Sequence, residues 1–209
     1  MGAELLMICA ELKSVLAHHG IPSAPFVVIP GESLSVRHTT SLPSYPLFVK
    51  PATEGSSKGI ESFNKANGPA ELELAVRTLK KRFPGEDLLV ESFLSGREFT
   101  VSILGTGSNS RVIGIREHIW RGSPSCGENG DGLQAEHDFA GWEDKSSKKC
   151  LLEYSDALDM KDPQVKAACK VALDTWSVFG CRDAGRVDIR LDSHEADAIP
   201  NVLEVTISP

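Results

Sequence analysis

Apolar residues at Leu5, Ile8, Leu12, Val15 and Leu16 recur at helical spacing and predict an amphipathic helix over residues 4–19, stopped by Gly20. Residues 26–29 (Phe-Val-Val-Ile) read as a strand, and 31–44 as a polar connection with turn residues. A second short buried strand around Val49 ends at Pro51, whose nitrogen cannot donate to a ladder. Residues 69–83 give a second helix with Leu72, Val76 and Leu79 on one face. Lys80, Lys81 and Arg82 fall near its end, where cations suit the helix dipole and cap it. The stretches 88–91, 98–105 and 111–118 predict successive strands of one antiparallel sheet, the second alternating polar and apolar residues as a half-buried strand does. Periodicity then lapses over 121–149, a Gly-, Ser-, Asp- and Lys-rich stretch longer than connections inside compact domains usually are, which reads as a functional flap. Asp162-Pro163 opens a third helix running to about Gly180, and 184–191 and 201–205 read as closing strands. The pattern is that of an α+β protein without internal repeats.

Composition narrows the classes open to such a chain. With 209 residues and 41% hydrophobic content it can bury a real core as one compact unit of one or two lobes. A formal charge of −7, with a pI near 5.4, argues against a general nucleic-acid or anionic-membrane surface while leaving room for a local basic pocket. The five cysteines show neither Cys-x-x-Cys nor zinc-ligand spacing and fit reduced thiols in the cytosol. The first residues lack a signal-peptide pattern, no segment reaches membrane-spanning length, and the expected location is cytoplasmic.

Candidate chemistry begins at residues 48–60. Lys50 stands at a strand end, and the loop beyond it carries Gly55, Ser56, Ser57, Lys58 and Gly59. Glycines that allow positive φ, hydroxyls and local amides can ring an anion, so the run points to the phosphates of ATP. It lacks the Gly-x-x-x-x-Gly-Lys-Ser/Thr order of a Walker loop, and taken alone it also suits a polar surface loop. Further on, Glu91-Ser92-Phe93-Leu94 leaves a strand for a linker. A carboxylate accepting from the adenine amino group, backbone groups and an apolar wall from Phe93 or Leu94 can hold a base there. Strand-end surface carboxylates are the other reading of Glu91 and Glu98.

Period-2 geometry supplies a metal candidate. Arg186, Asp188 and Arg190 share one strand face, and Glu204 and Thr206 share another. Mg²⁺ takes one or two protein carboxylates beside phosphate oxygens and water, which Asp188 and Glu204 can supply. Ion pairing of Asp188 with Arg186 is the alternative, although carboxylates on apolar strands are costly unless paired or metal-bound. The histidines show no metal or triad spacing and read as incidental.

Three blocks in this order, 48–60, 89–101 and 185–192 followed by Val202-Leu203-Glu204-Val205, resemble the ATP-grasp ligases, and among them the D-alanine–D-alanine ligases most closely. The resemblance implies a single ATP-grasp region over 1–209, two α+β lobes clasping ATP between antiparallel sheets. The smaller nucleotide-clasping lobe would be 22–92, and the larger lobe 93–209 with the metal-binding strands and the flap at 121–149. It places Lys50, Ser56 and Ser57 on the phosphates, Glu91 and the Phe93-Leu94 backbone at adenine, and Glu98 on the ribose hydroxyls. Asp188 and Glu204 become Mg²⁺ (or Mn²⁺) ligands, Thr206 stands where the family has a third, asparagine ligand, and Lys145 ends an aromatic loop that reaches phosphate. The implied reaction joins a carboxylate to an amine, both small molecules and in this family amino acids, through an acylphosphate, with Arg186 stabilising the oxyanion of the second step. No nucleic-acid or membrane partner is implied, and a homodimer is possible.

Departures from the family pattern are also legible. The family's N-terminal substrate domain is missing ahead of the first helix, and Ile8-Cys9 stand where an Asp-Lys pair is usual. A hydroxyl at Thr206 is a weaker ligand than an amide, so one metal site is expected to be altered. The chain stops at Ser208-Pro209, before the segment that binds the acceptor carboxylate. A truncated or degenerate ATP-binding module without ligase activity is therefore the alternative reading, and a phosphotransferase on the same fold a third.

Overall fold

In the computed structural model, which describes residues 9–33, 41–53, 60–121, 151–156 and 158–208, the strands form two antiparallel sheets. The first contains β1 (Phe26–Ile29), β2 (Leu47–Pro51), β3 (Lys65–Ala66) and β4 (Leu88–Ser92), in the order β1-β4-β2-β3. The second contains β5 (Glu98–Leu104), β6 (Arg111–Arg121), β7 (Leu151–Ser155), β8 (Ala184–Leu191) and β9 (Pro200–Ser208), in the order β7-β6-β5-β8-β9. Among the described residues three α-helices accompany them: α1 (Cys9–His18), α2 (Pro69–Arg82) and α3 (Pro163–Val178). None of the described helices is long and apolar enough to cross a membrane.

Each sheet owns a core. Leu72, Ala75, Val76 and Leu79 of α2 pack on Ile29, Leu47, Val49, Leu88 and Val90. Trp176, Ala172, Ala168 and Val165 of α3 pack on Phe99, Val101, Ile103, Val187, Ile189 and Val205, and Leu12 and Leu16 of α1 join this second cluster. The expectation that 88–91 continues into the same sheet as 98–105 and 111–118 is corrected: β4 lies between β1 and β2 in the first sheet, and β5 pairs with β6 and β8 in the second. The burial of the two strands gives the physical reason. Leu88 to Glu91 are buried on both faces, as a central strand of one sheet, whereas β5 alternates half-buried and buried positions along its length. Between them the chain turns at Gly96, whose amide donates to the Leu191 carbonyl at 3.0 Å and where a Cβ would collide with the Ser193 carbonyl.

Helix ends follow the sequence closely. Asp162 caps α3 by accepting from the Gln164 amide at 2.8 Å. At the other end Gly180 has φ +58°, and the amides of Gly180 and Cys181 bond the carbonyls of Ser177 and Trp176. Gly20, φ +67°, ends α1 in the same way through Ala17 and Leu16, the Schellman arrangement in which glycine carries the left-handed residue. The basic end of α2 departs from the capping expectation. Lys80 is buried, and its ammonium bonds the carbonyls of Pro30 at 2.6 Å and Glu86 at 2.8 Å, joining α2 to the ends of β1 and β4. Desolvation lowers its pKa, against the raising charges of Asp87 and Glu86.

Two features of the second sheet set its polar face. Arg97 makes a two-pronged pair with Glu117 at 2.7 and 2.9 Å and reaches Asp162 at 2.6 Å, fixing β5 and β6 to the start of α3. In the β8–β9 ladder the register shifts after Asp188, so that Asp188 faces Glu204 while Ile189 faces Val202, leaving Leu203 as the extra residue. This bulge lets Val202 enter the core while Glu204, two residues on, joins the opposite face.

Candidate functional site

On the first sheet, Leu47, Val49 and Pro51 point into the α2 core, so Phe48 and Lys50 occupy the other face of β2. Glu91 shares that face and is directly across from Phe48 on one side and Phe26 on the other. Both of its oxygens are engaged by lysines: Lys50 Nζ lies 2.7 Å from Oε1, and Lys13 Nζ lies 2.9 Å from Oε2. Lys13, which is 1% exposed, also donates to the Ala24 carbonyl at 3.1 Å. Burial pushes the Glu91 pKa up, but the charges and hydrogen bonds of Lys50 and Lys13 override it and hold the carboxyl at about 2.

The sign of the linkage is fixed by that depression. Glu91 contributes stability above the usual carboxylate value of 4.5, and the contribution is lost as pH falls from about 4.5 to about 2. Chemical denaturation across this window is expected to show wild-type stability dropping more steeply than that of Glu91→Gln. Parallel curves would contradict an ionised, lysine-paired Glu91.

At the linker between the sheets, the Phe93 ring lies 6.2 Å from Phe48, with Lys65 Nζ of β3 4.3 Å and the Arg190 guanidinium of β8 5.3 Å from its centre. One aromatic ring thus gathers a cation from each sheet. The Phe93 amide donates to the Pro46 carbonyl at 2.9 Å, and Leu94 is buried.

The polar face of the second sheet continues from there. Glu98 receives Arg190 at 3.2 Å, directly across the β5–β8 ladder. Thr100, across from Asp188, donates its hydroxyl proton to Asp188 Oδ1 at 2.7 Å. Its contact with His118 Nε2, at 2.9 Å, therefore has the imidazole as donor, which places the other ring nitrogen toward Glu98, 3.9 Å away. The second Asp188 oxygen lies 3.6 Å from Arg186 Nε. Glu204 is directly across from Asp188 and Thr206 from Arg186, and the Thr206 hydroxyl oxygen is buried without a hydrogen-bond partner.

Of the residues the sequence singles out, Lys50, Glu91, Phe93 and Leu94 fall on the first sheet and its exit, and Glu98, Arg186, Asp188, Glu204 and Thr206 on one face of the second. Ser56, Ser57 and Lys145 lie outside the described residues. Glu91, expected to accept from a base, has lysines at both oxygens instead. Sequence reading missed Lys13, Thr100 and His118. Period-2 counting from Glu98 already puts Thr100 on the site face, but nothing local marks Lys13 or His118, whose partners are 78 and 18 residues away.

The donor set suits a hard divalent cation: two carboxylates face each other across a ladder, where Cβ atoms stand about 4.5–5.5 Å apart, and a buried hydroxyl oxygen without a partner adjoins them.

Comparison with known proteins gives a consistent picture. A family profile described as D-ala D-ala ligase C-terminus matches residues 15–207. The D-alanine–D-alanine ligase of Bordetella pertussis is 31% identical over 209 residues, covering the whole chain and 58% of that relative. Among solved structures, the VanG D-Ala:D-Ser ligase of Enterococcus faecalis aligns with a TM-score of 0.66 at 19% identity, over 97% of this chain and 52% of that one. The D-alanine–D-alanine ligase of Bacillus anthracis complexed with ATP aligns with a TM-score of 0.63 at 18% identity, over 97% and 56%. The chain thus spans somewhat over half the length of the curated relatives it matches.

Proposed function

The chain belongs to the D-ala D-ala ligase C-terminus family and has the ATP-grasp fold, and from that premise we propose that it is the nucleotide-binding part of an ATP- and Mg²⁺-dependent ligase that joins the carboxylate of one amino acid to the amine of another. The observation that carries this reading is the pairing of a cationic cluster at one sheet, Lys50 and Glu91 of its strands with Lys13 of α1, with an oxygen-rich face on the other, Asp188 opposite Glu204.

In this account ATP lies between the sheets. Its base rests against Phe93 and Leu94, its ribose hydroxyls reach Glu98, and its phosphates meet Lys50 and the loop carrying Ser56 and Ser57. Asp188 and Glu204, assisted by Thr206, would hold Mg²⁺, which when bound neutralises phosphate oxygens and orients them. Lys50 stabilises negative charge on the γ-phosphoryl group as a substrate carboxylate oxygen attacks phosphorus and the bond to ADP breaks. The amine of the second substrate then attacks the acyl carbon of the acylphosphate. Arg186, with its side chain 51% exposed beside Asp188, stabilises the tetrahedral oxyanion. Phosphate leaves with the bonding electron pair, and the nitrogen loses a proton to solvent. Lys145 contributes a further phosphate contact. The small-molecule substrates are amino acids of the D-alanine class.

The test is to incubate the protein with ATP, Mg²⁺ and D-alanine and quantify ADP and dipeptide together. The expected result is equal amounts of the two, with ADP formation dependent on the amino acid. ADP formed at the same rate without an amino acid, and no dipeptide, would contradict the ligase reading.

A further inference from the structure

Lys13 takes no part in the steps above, yet it is the most completely buried cation among the described residues that reaches the candidate ATP site. It comes from a different element than the rest of that site. Leu12 and Leu16 of α1 enter the core of the second sheet, while Lys13 crosses to Glu91 of the first. An ammonium at 1% exposure cannot itself meet a ligand in the cleft, and its partners, the Ala24 carbonyl, Glu91 Oε2 and the Phe26 ring 5.6 Å away, are all protein groups. Such a charge is costly to bury, so its effect passes through what it touches.

What it touches is the carboxylate that also holds Lys50. Counting these three groups, two ammonium ions surround one carboxylate, leaving one positive charge in excess. Lys50 is the most exposed of the three, with its side chain at 15% against 1% for Lys13 and 5% for Glu91. Lys50 is therefore the member of the three placed to meet a ligand. Removing the Lys13 charge lowers the positive potential at Lys50 whatever else that lysine meets, so the same lysine would offer phosphate less field. Resting on the ATP-binding reading above, we propose that Lys13 is a positioning residue that sets the charge of the phosphate-binding lysine: by sharing Glu91, it keeps Lys50 electropositive and fixed on the β2–β4 face.

The test uses calorimetric titration with a non-hydrolysable ATP analogue at low and high salt, on wild type and on Lys13→Met, Lys13→Gln and Lys13→Arg. Lys13→Met is expected to lose about tenfold in affinity at low salt and less at high salt, because the missing part is charge attraction. Lys13→Arg restores the cation and is expected to stay within about threefold of wild type. Lys13→Gln removes the charge but keeps an amide that can donate to the Ala24 carbonyl, and is expected to lose affinity as Lys13→Met does. It also keeps the test decisive if Lys13→Met alone fails to fold. Wild-type affinity in Lys13→Met or Lys13→Gln would overturn the proposal, as would a loss that is equal at both salt concentrations and persists in Lys13→Arg, which would mark a packing role. Absence of analogue binding by the wild type would instead strike the ATP-binding reading, and this inference with it.

Discussion

Replacing Lys50 by methionine is expected to weaken binding of a non-hydrolysable ATP analogue by about 100-fold, equivalent to about 2.7 kcal/mol. The size follows from its place. Lys50 stands at the end of β2, its ammonium 2.7 Å from a buried carboxylate and directly before the glycine- and serine-rich segment. Removing one partner of a desolvated, hydrogen-bonded charge pair typically costs about 2–5 kcal/mol in binding. The fold should survive, because Glu91 keeps Lys13 at 2.9 Å and is not left as an unpaired buried charge. Titration calorimetry on a variant shown to be folded by its thermal transition checks this, and unchanged affinity would remove Lys50 from the site.

The second large effect is expected at Glu204. Glu204→Gln should abolish the Mg²⁺-dependent part of ATP-analogue binding and lower ligase turnover by about 1,000-fold, the scale on which removing a preorganised electrostatic group acts. An amide of the same shape keeps the β9 ladder intact, so the unfolding midpoint should move little. The contrast between retained stability and lost metal dependence is what identifies a ligand. If Glu204 served only to balance charge on the polar face, the variant would bind the analogue with the same Mg²⁺ dependence as wild type.

Much of this molecule is legible in its sequence because the local signals agree with the tertiary outcome. Gly20 and Gly180 stop their helices at left-handed residues, Asp162 caps α3, and the alternation of Glu98 to Leu104 announces a strand with one wet face. The assignment of β4 fails for a reason the sequence contains: Leu88-Leu89-Val90 is a continuous apolar run, which marks a strand covered on both faces rather than a neighbour of the alternating β5. The strand β7, Leu151–Ser155, follows the stretch read as a flap and lengthens the second sheet beyond what periodicity suggested.

The site divides along the same line. Asp188, Arg186, Glu204 and Thr206 come together as period-2 counting requires, and the bulge after Asp188 explains how Val202 and Glu204 reach opposite faces despite being two residues apart. Lys13 could not be read this way. On α1 it sits beside Leu12 like any solvent-facing lysine, and only the packing of α1 between the two sheets turns it toward Glu91. His118 is similar, since its role in orienting the Thr100 hydroxyl toward Asp188 depends on the β5–β6 register. Lys80, which looks like a dipole-matching cation, is instead a buried cross-link from α2 to the nearby Glu86 carbonyl and to the carbonyls of Ile29 and Pro30, and the latter are too remote in sequence for a local pattern to announce.

The central claim is that a cationic cluster on one sheet and facing carboxylates on the other bind ATP together with Mg²⁺. The measurement that tests it most directly is calorimetric titration of the purified 209-residue protein with a non-hydrolysable ATP analogue, with and without Mg²⁺. The account predicts saturable binding that tightens by at least about tenfold when the metal is present, as expected where carboxylates would otherwise face phosphates across the site. Absence of binding by a demonstrably folded protein, or binding that ignores Mg²⁺, would contradict it.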